Sequence, residues 1–559
     1  MQFVSLPPEL LATILLDLGF RDLLRCRQVC SLFKSVIDGD VRAHYKVELA
    51  AAGMQDGPPS ALTPAERLSI LRRRQDAWTK LAWTAKEEVP MRRGGVWELY
   101  GNVLAQAEGE RTLHFKQLPS AIRGIKGKEW TIQDVGCKIR DFGMDSAQDL
   151  LIVLEHCSEP DGSEVTCRVH LRSLSTGAPH PAASKTGILT PCLPEGRCTY
   201  TIQTSEDNLG LLISGLDELI YKLVIFNWKT GALRLCTAGP DLPSFAFLST
   251  RHILIAILPE LELTEDNNIR GPNDPYLIVV DVDANPVPYP PAPCESSPAP
   301  TCSTDLKYVC AFRYPRLGDT FIVTDISIRS DPAPNWQPSP SLGVPFSVSR
   351  EDRLLVITLQ LYEGPTRFGI FSLVLTSTFL SRVARVEREG AETGGGDVGW
   401  TEWGPQGSRL LLAPETHTRV WVCYVYGTTF GLLRWRGSRK VVLTLDFNQL
   451  AIRRARLKGG GCFGLGDSAE AAADGAWDAG GVKMTEMTAF RPGRVFKEEV
   501  ATGLGYWLRM LPSLPFGDEE SSDGTLDEER QFEAVMLAED AFVVVSDDED
   551  VRKYRILTF

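Results

Sequence analysis

No stretch of this chain is apolar for long enough to cross a bilayer. Its longest such runs, residues 150–154 and 253–258, fall far short of the ~18 residues that a spanning helix needs. Residues 1–20 have apolar content, but Glu9 and Asp17 interrupt it and no basic region precedes it, a poor secretory signal. None of the nine asparagines sits in an Asn-x-Ser/Thr sequon. The thirteen cysteines are an odd number without CxxC pairs, which suits reduced thiols better than a disulfide framework. The seven histidines form no HxH or HExxH pattern, so local histidine-based metal or acid–base chemistry lacks a signature. Basic excess is missing too: Lys+Arg is 59 against Asp+Glu 72, a net charge of -13, which argues against a general nucleic-acid binder. A cytoplasmic or nuclear protein, without membrane or nucleic-acid partners, is the expectation.

What is present begins with leucine at helical spacing. Pro7 and Pro8 suit a first helical turn, Ser5 precedes them as a cap, and Leu10, Leu11, Ile14, Leu15 and Leu18 form one wide apolar face. Gly19 stops this helix. Asp22 is expected to cap a second helix with Leu23, Cys26 and Cys30 on one stripe. Ser31 is expected to cap a third that carries Leu32, Phe33, Val36 and Ile37 and ends near Asp38 and Gly39. Three short helices cannot bury this much apolar surface by themselves, so a partner protein is implied. Cys26 and Cys30 read as small hydrophobes, since no second metal-ligand pair accompanies them.

The order Leu6-Pro7, Glu9-Leu10, Ile14-Leu15, Asp22-Leu23, Val29-Cys30 and Phe33 resembles an F-box, here in a protein of the fungal type; the family commonly has Trp where Phe33 stands. The resemblance covers about one tenth of the chain. It implies docking on the Skp adaptor of an SCF (Skp–cullin–F-box) ubiquitin ligase, and through it on cullin and RING subunits. Leu6, Pro7, Leu10, Ile14, Leu15, Leu23, Val29 and Phe33 are then the expected adaptor contacts. The chemistry would belong to the RING subunit and the charged conjugating enzyme, so no catalytic, cofactor or metal site is expected.

Domains are expected at 1–50 (trihelical F-box), 51–90 (helical linker) and 91–559. In the linker Thr63 caps and Pro64 opens a helix with Leu68, Leu71, Trp78 and Leu81 near helical period. Beyond Trp97 helical periodicity gives way to short β-type runs. Six comparable runs end at Gly177, Gly231, Ala284, Arg329, Thr376 and Gly427, each preceded by another strand-like run. Such spacing points to a β-propeller of six to eight WD-like blades, with two stacked β-domains as the alternative. The 441–447 run and the terminal strands could supply a seventh blade, and 554–559 is expected to pair with 97–104 to close the ring. Loop insertions are expected at 285–302, 458–481 and 518–534.

The Gly459-x-Gly461-x-x-Gly464 pattern sits in a Gly-rich loop without the strand and helix that a pyrophosphate site needs. The leading function is therefore a substrate-recognition subunit whose propeller holds a protein substrate near the ligase. A scaffold outside ubiquitination, or an enzyme using the propeller channel, are the alternatives. The charge has an address: fourteen acidic residues and one base, Arg530, lie between 518 and 550, so the rest of the chain is neutral. That segment reads as a solvated loop able to attract a basic partner.

Overall fold

The computed structural model describes residues 6–511 and 531–559, apart from 93–94, 159–164, 195, 218–219, 262–272, 286–305, 390–395, 415–416, 418–422, 437–438, 458–481, 494 and 549–550. The three expected loop insertions therefore lie largely outside the described residues.

Five helices come first: α1 (Pro8–Asp17), α2 (Phe20–Cys26), α3 (Ser31–Gly39), α4 (Val41–Ala51) and α5 (Pro64–Lys80). The start of α1 has a proline in its first turn, as its sequence demands. Three caps differ from expectation, the first being that Pro7, not Ser5, holds the cap position of α1, where no side chain caps the helix. The Cys30 thiol, not Ser31, accepts from the Phe33 amide at the head of α3, and Asp22 sits inside the first turn of α2, where it pairs with Arg25 at 2.7 Å. A fourth helix, capped by Asp40, was not expected within the N-terminal module. Thr63 and Glu66 form a reciprocal capping box on α5, and Leu81 in left-handed geometry ends it.

The remaining chain is a seven-bladed propeller. The innermost strands are Trp97–Tyr100, Asp141–Asp145, Cys198–Ser205, Ser244–Phe247, Phe321–Arg329, Val425–Tyr426 and Gln531–Ala538, for blades 1 to 7. A separate apolar cluster fills each of the seven seams between neighbouring blades, from Val103, Phe115 and Phe142 between blades 1 and 2 to Leu99, Leu104 and Val543 between blades 7 and 1. Each fully buried Leu, Ile or Phe there contributes about 1.5–3 kcal/mol. The ring is thus held by seven similar interfaces rather than by one core.

The six repeat markers do not each mark a blade. Those at Gly177, Gly231, Ala284 and Thr376 follow third strands, of blades 2 to 5, while Arg329 ends the first strand of blade 5 and Gly427 follows the first strand of blade 6. Blade 5 is thereby counted twice, and blades 1 and 7 are not counted. The cause is that first strands read as β-type runs just as third strands do, and that α6 (Thr376–Glu389) and α7 (Trp400–Gly407) separate the third and fourth strands of blade 5.

Ring closure also differs in its partner. The last strand, Val551–Thr558, pairs antiparallel with Ala85–Pro90, from Ala85 opposite Thr558 to Pro90 opposite Lys553. Trp97–Tyr100 pairs within blade 1 instead. Ala85–Pro90 was assigned to the helical linker because its alternation is weak and polar. It is a mostly exposed edge strand, the place where Pro90 costs no ladder bond in the middle of a sheet. Blade 7 thus joins the first strand after α5 and the last strand of the chain in one sheet.

Candidate functional site

The N-terminal helices sort the sequence-expected contacts into two groups. Leu15, Leu23 and Phe33 are buried, Leu15 and Leu23 in a small core with Ile37 and Ala43. Pro7 is exposed and Leu6 half-buried, while Leu10, Ile14 and Val29 are 53%, 41% and 68% exposed. Leu10 and Ile14, four residues apart on α1, share one helix face. Leu24 and Val41 are exposed beside them in the sequence, and neither was anticipated. These five are close to half of the exposed large apolar side chains among the described residues, in a segment that is a small fraction of the chain. Exposed apolar side chains are thus concentrated in this small module.

The module is fixed to the propeller by polar groups as well as packing. Arg74 of α5 donates from Nε to Asp540 at 2.7 Å and from Nη2 to the Glu539 carbonyl at 2.5 Å. Arg123, in the loop between the third and fourth strands of blade 1, binds the other Asp540 oxygen and meets Glu539 Oε2 at 2.9 Å. Burial alone would raise both acids. The two guanidiniums hold Asp540 below its ordinary value, while Glu539, beside the ionised Asp540, is held up. A second node joins the Tyr45 hydroxyl and Arg67 Nη1 to Asp56 at 2.8 and 2.6 Å, and Arg67 also to the Pro345 carbonyl at 2.9 Å. There Met54–Asp56 pairs with Phe346–Val348, an insertion of blade 5. Glu48 of α4 takes a bidentate bond from Arg454 at 2.6 and 2.7 Å.

The same blade 5 insertion crosses the propeller axis. Trp336 is 6% exposed, donates to Asp145 of blade 2 at 3.1 Å and meets the Tyr100 ring of blade 1 edge-on. Tyr100 accepts from the Ala333 amide at 3.0 Å, and Arg353 donates to the Phe247 and Leu248 carbonyls of blade 4. The segment thus ties together blades 1, 2 and 4 on the side where α5 docks. The axial cavity behind it has a volume of about 200 Å³ and is lined by Glu98, Asp141, Asp331, Arg329 and Cys423 among others. Desolvation raises the carboxyls there, Glu98 to about 8, Asp331 to about 7 and Asp141 to about 6. Neighbouring carboxylates raise Glu98 further, and the Cys423 thiol lies 3.9 Å from its Oε1. Sequence spacing held no signal for this group, because its members come from blades 1, 2, 5 and 6 and meet only on the axis.

Comparison with known proteins supplies the family of the first segment: the F-box-like family model matches residues 3–47. Among curated proteins none matches the chain. Similar solved structures include Kluyveromyces lactis Hsv2, at 10% identity and a TM-score of 0.22, covering 48% of this chain and 66% of that one. The uncharacterized protein lmo1340 from Listeria monocytogenes EGD-e is 8% identical with a TM-score of 0.29, covering 65% of this chain and 83% of its own. Extracellular domains 1–2 of Drosophila Semaphorin 1b are 10% identical with a TM-score of 0.32, covering 85% of each chain.

Proposed function

We propose that this chain, an F-box-like domain followed by a seven-bladed β-propeller, is the substrate-recognition subunit of an SCF ubiquitin ligase. F-box domains generally bind Skp-type adaptors. The single observation that carries the reading is the exposed apolar set Leu10, Ile14, Leu24 and Val29 on a module whose own core is already filled by Leu15, Leu23 and Ile37. Cullin and RING subunits would join through the adaptor, and a protein substrate would sit on the propeller. The buried tie from α5 to blade 7 and the ion pair from α4 to Arg454 support this role. Raising the effective concentration of substrate lysines near a distant thioester needs a fixed separation, and a flexible linker would dilute it.

The test separates exposed contacts from core. Ile14→Asp combined with Leu10→Asp should abolish co-purification with the Skp-type adaptor while the far-ultraviolet dichroism and melting of the chain stay as they were. Undiminished adaptor binding by this folded double variant refutes the assignment.

A second reading is favoured by the axial cavity. Several carboxyls with raised pKa lining one cavity are a pattern of proton-transfer sites. A propeller-channel enzyme would lose turnover on Glu98→Gln while retaining adaptor binding; a recognition subunit would retain substrate ubiquitination in the same variant.

A further inference from the structure

Away from both the exposed apolar face and the axial cavity, a third space opens between α4, α5 and blades 6 and 7. Its volume is about 670 Å³, within the range of small-molecule sites. Arg72 and Trp78 of α5 face Tyr426, Arg509 and Thr444 of blade 6 across it.

Each acid on its wall has at least one oxygen already engaged. Glu48 is held at both oxygens by Arg454. Asp446 Oδ1 accepts from Thr428 and from the Asn448 amide, both at 3.0 Å. Glu539 Oε1 accepts from the Val348 amide at 2.7 Å, and its Oε2 lies 2.9 Å from Arg123. Among the buried unmatched atoms on this wall, donors outnumber the one acid oxygen, Glu539 Oε2, which has an ion pair but no hydrogen bond among the described residues. Tyr426 is only 8% exposed and its hydroxyl has no partner among the described residues. Trp78 Nε1 and Arg509 Nε are buried and equally unmatched. The nearest acid approach to Arg509 is Asp446 at 3.8 Å, beyond hydrogen-bond distance. Arg72 is exposed at the same wall.

A wall with a surplus of unmatched donors fits a ligand made of acceptors. Guanidinium, indole N–H and hydroxyl together are a donor set for phosphate oxygens. The volume exceeds what one inorganic phosphate fills. We propose that this cavity binds a phosphorylated small molecule, held by Arg72, Trp78, Tyr426 and Arg509 at the seam between α5 and blade 6. Such a ligand bridges the N-terminal module and the propeller, so its binding stiffens their junction. The inference stands independently of adaptor docking.

The test uses the full chain at physiological ionic strength, where adventitious surface pairing is screened. Calorimetric titration with tripolyphosphate and, separately, with ATP distinguishes a bare polyphosphate from an organic phosphate; saturable binding of either supports the site. Arg72→Gln, on an exposed helix position, and Arg509→Gln should each weaken that binding about tenfold. Hydrogen exchange should slow at 64–80 and 425–429 with the probe bound. Absence of saturable binding by both probes, or binding unchanged in both variants, overturns the proposal and leaves these donors to water.

Discussion

Arg74 and Asp540, 466 residues apart in the chain, meet at 2.7 Å with side chains 10% and 4% exposed. Asp540 is the shared member of the cluster: Arg74 takes one of its oxygens and Arg123 the other. One carboxylate therefore ties α5 to blade 7 and blade 1. Removing it leaves two buried guanidiniums facing Glu539 alone, whereas removing Arg74 leaves Asp540 still paired. Asp540→Asn should cost about 3–5 kcal/mol, and Arg74→Met about 1–3 kcal/mol. Urea unfolding of both variants checks the order. A larger loss for Arg74→Met would make the helix, not the turn, the centre of the cluster.

The adjacent pair Ile14 and Leu15 should behave oppositely. Leu15 is 2% exposed in the small N-terminal core, so Leu15→Ala should destabilise that module by about 2–5 kcal/mol. Ile14, 41% exposed, should tolerate Ile14→Ser within about 0.5 kcal/mol. Proteolysis of residues 1–50 read alongside adaptor binding distinguishes them: Leu15→Ala accelerates cleavage, and Ile14→Ser weakens binding alone.

The contrast also shows how far the sequence speaks. Leucine spacing places Leu10, Ile14 and Leu15 on the apolar side of α1, and the motif order marks the docking module. A wide helical stripe, however, does not say which part turns inward; that depends on where α3 and α4 pack. In the propeller, period-two apolar runs reveal strands and turn residues such as Gly177 and Gly231 reveal hairpins. Strand rank within a blade has no local signature, which is why the run ending at Arg329, a first strand, resembles the third-strand runs ending near Gly177 and Gly231. Ala85–Pro90 escaped because an exposed edge strand needs no apolar face. Glu539 and Asp540 fall within the acidic segment from 518 to 550, yet both are buried. Their buried setting comes from Arg74 and Arg123, which are distant in sequence.

Trp78 tests the closure of the ring. Its ring stacks on Phe559 at 4.6 Å and tilts against Phe542 at 5.1 Å, joining α5 to two strands of blade 7. Trp78→Ala should cost about 3–5 kcal/mol. The loss should fall on the closing sheet first. Hydrogen exchange should therefore accelerate at 85–90 and 551–558 before it does in blades 2 and 3. Uniform acceleration around the ring would mean that the seven seams unfold as one unit and that α5 does not clamp the closure.

Glu98 gives the pH dependence of the fold. Its folded pKa, about 8, lies above the ordinary value of 4.5, because burial and neighbouring acids disfavour the carboxylate. Between those values the folded chain keeps a proton that the unfolded chain has lost. Stability attributable to this group is complete below the unfolded pKa, declines as pH rises between the two, and is constant above the upper one. Asp331 and Asp141, raised to about 7 and about 6, act in the same direction over narrower windows. Glu98→Gln removes the titration while keeping the shape of the side chain. With allowance for the cavity's access to solvent, the variant should gain about 1–2 kcal/mol over the parent chain at pH 8. At pH 5 that gain should nearly vanish, since the parent is then protonated at Glu98. Melting curves of both proteins at the two pH values decide the matter. A gain equal at pH 5 and pH 8 would show that packing, not the charge on Glu98, separates the variant from its parent.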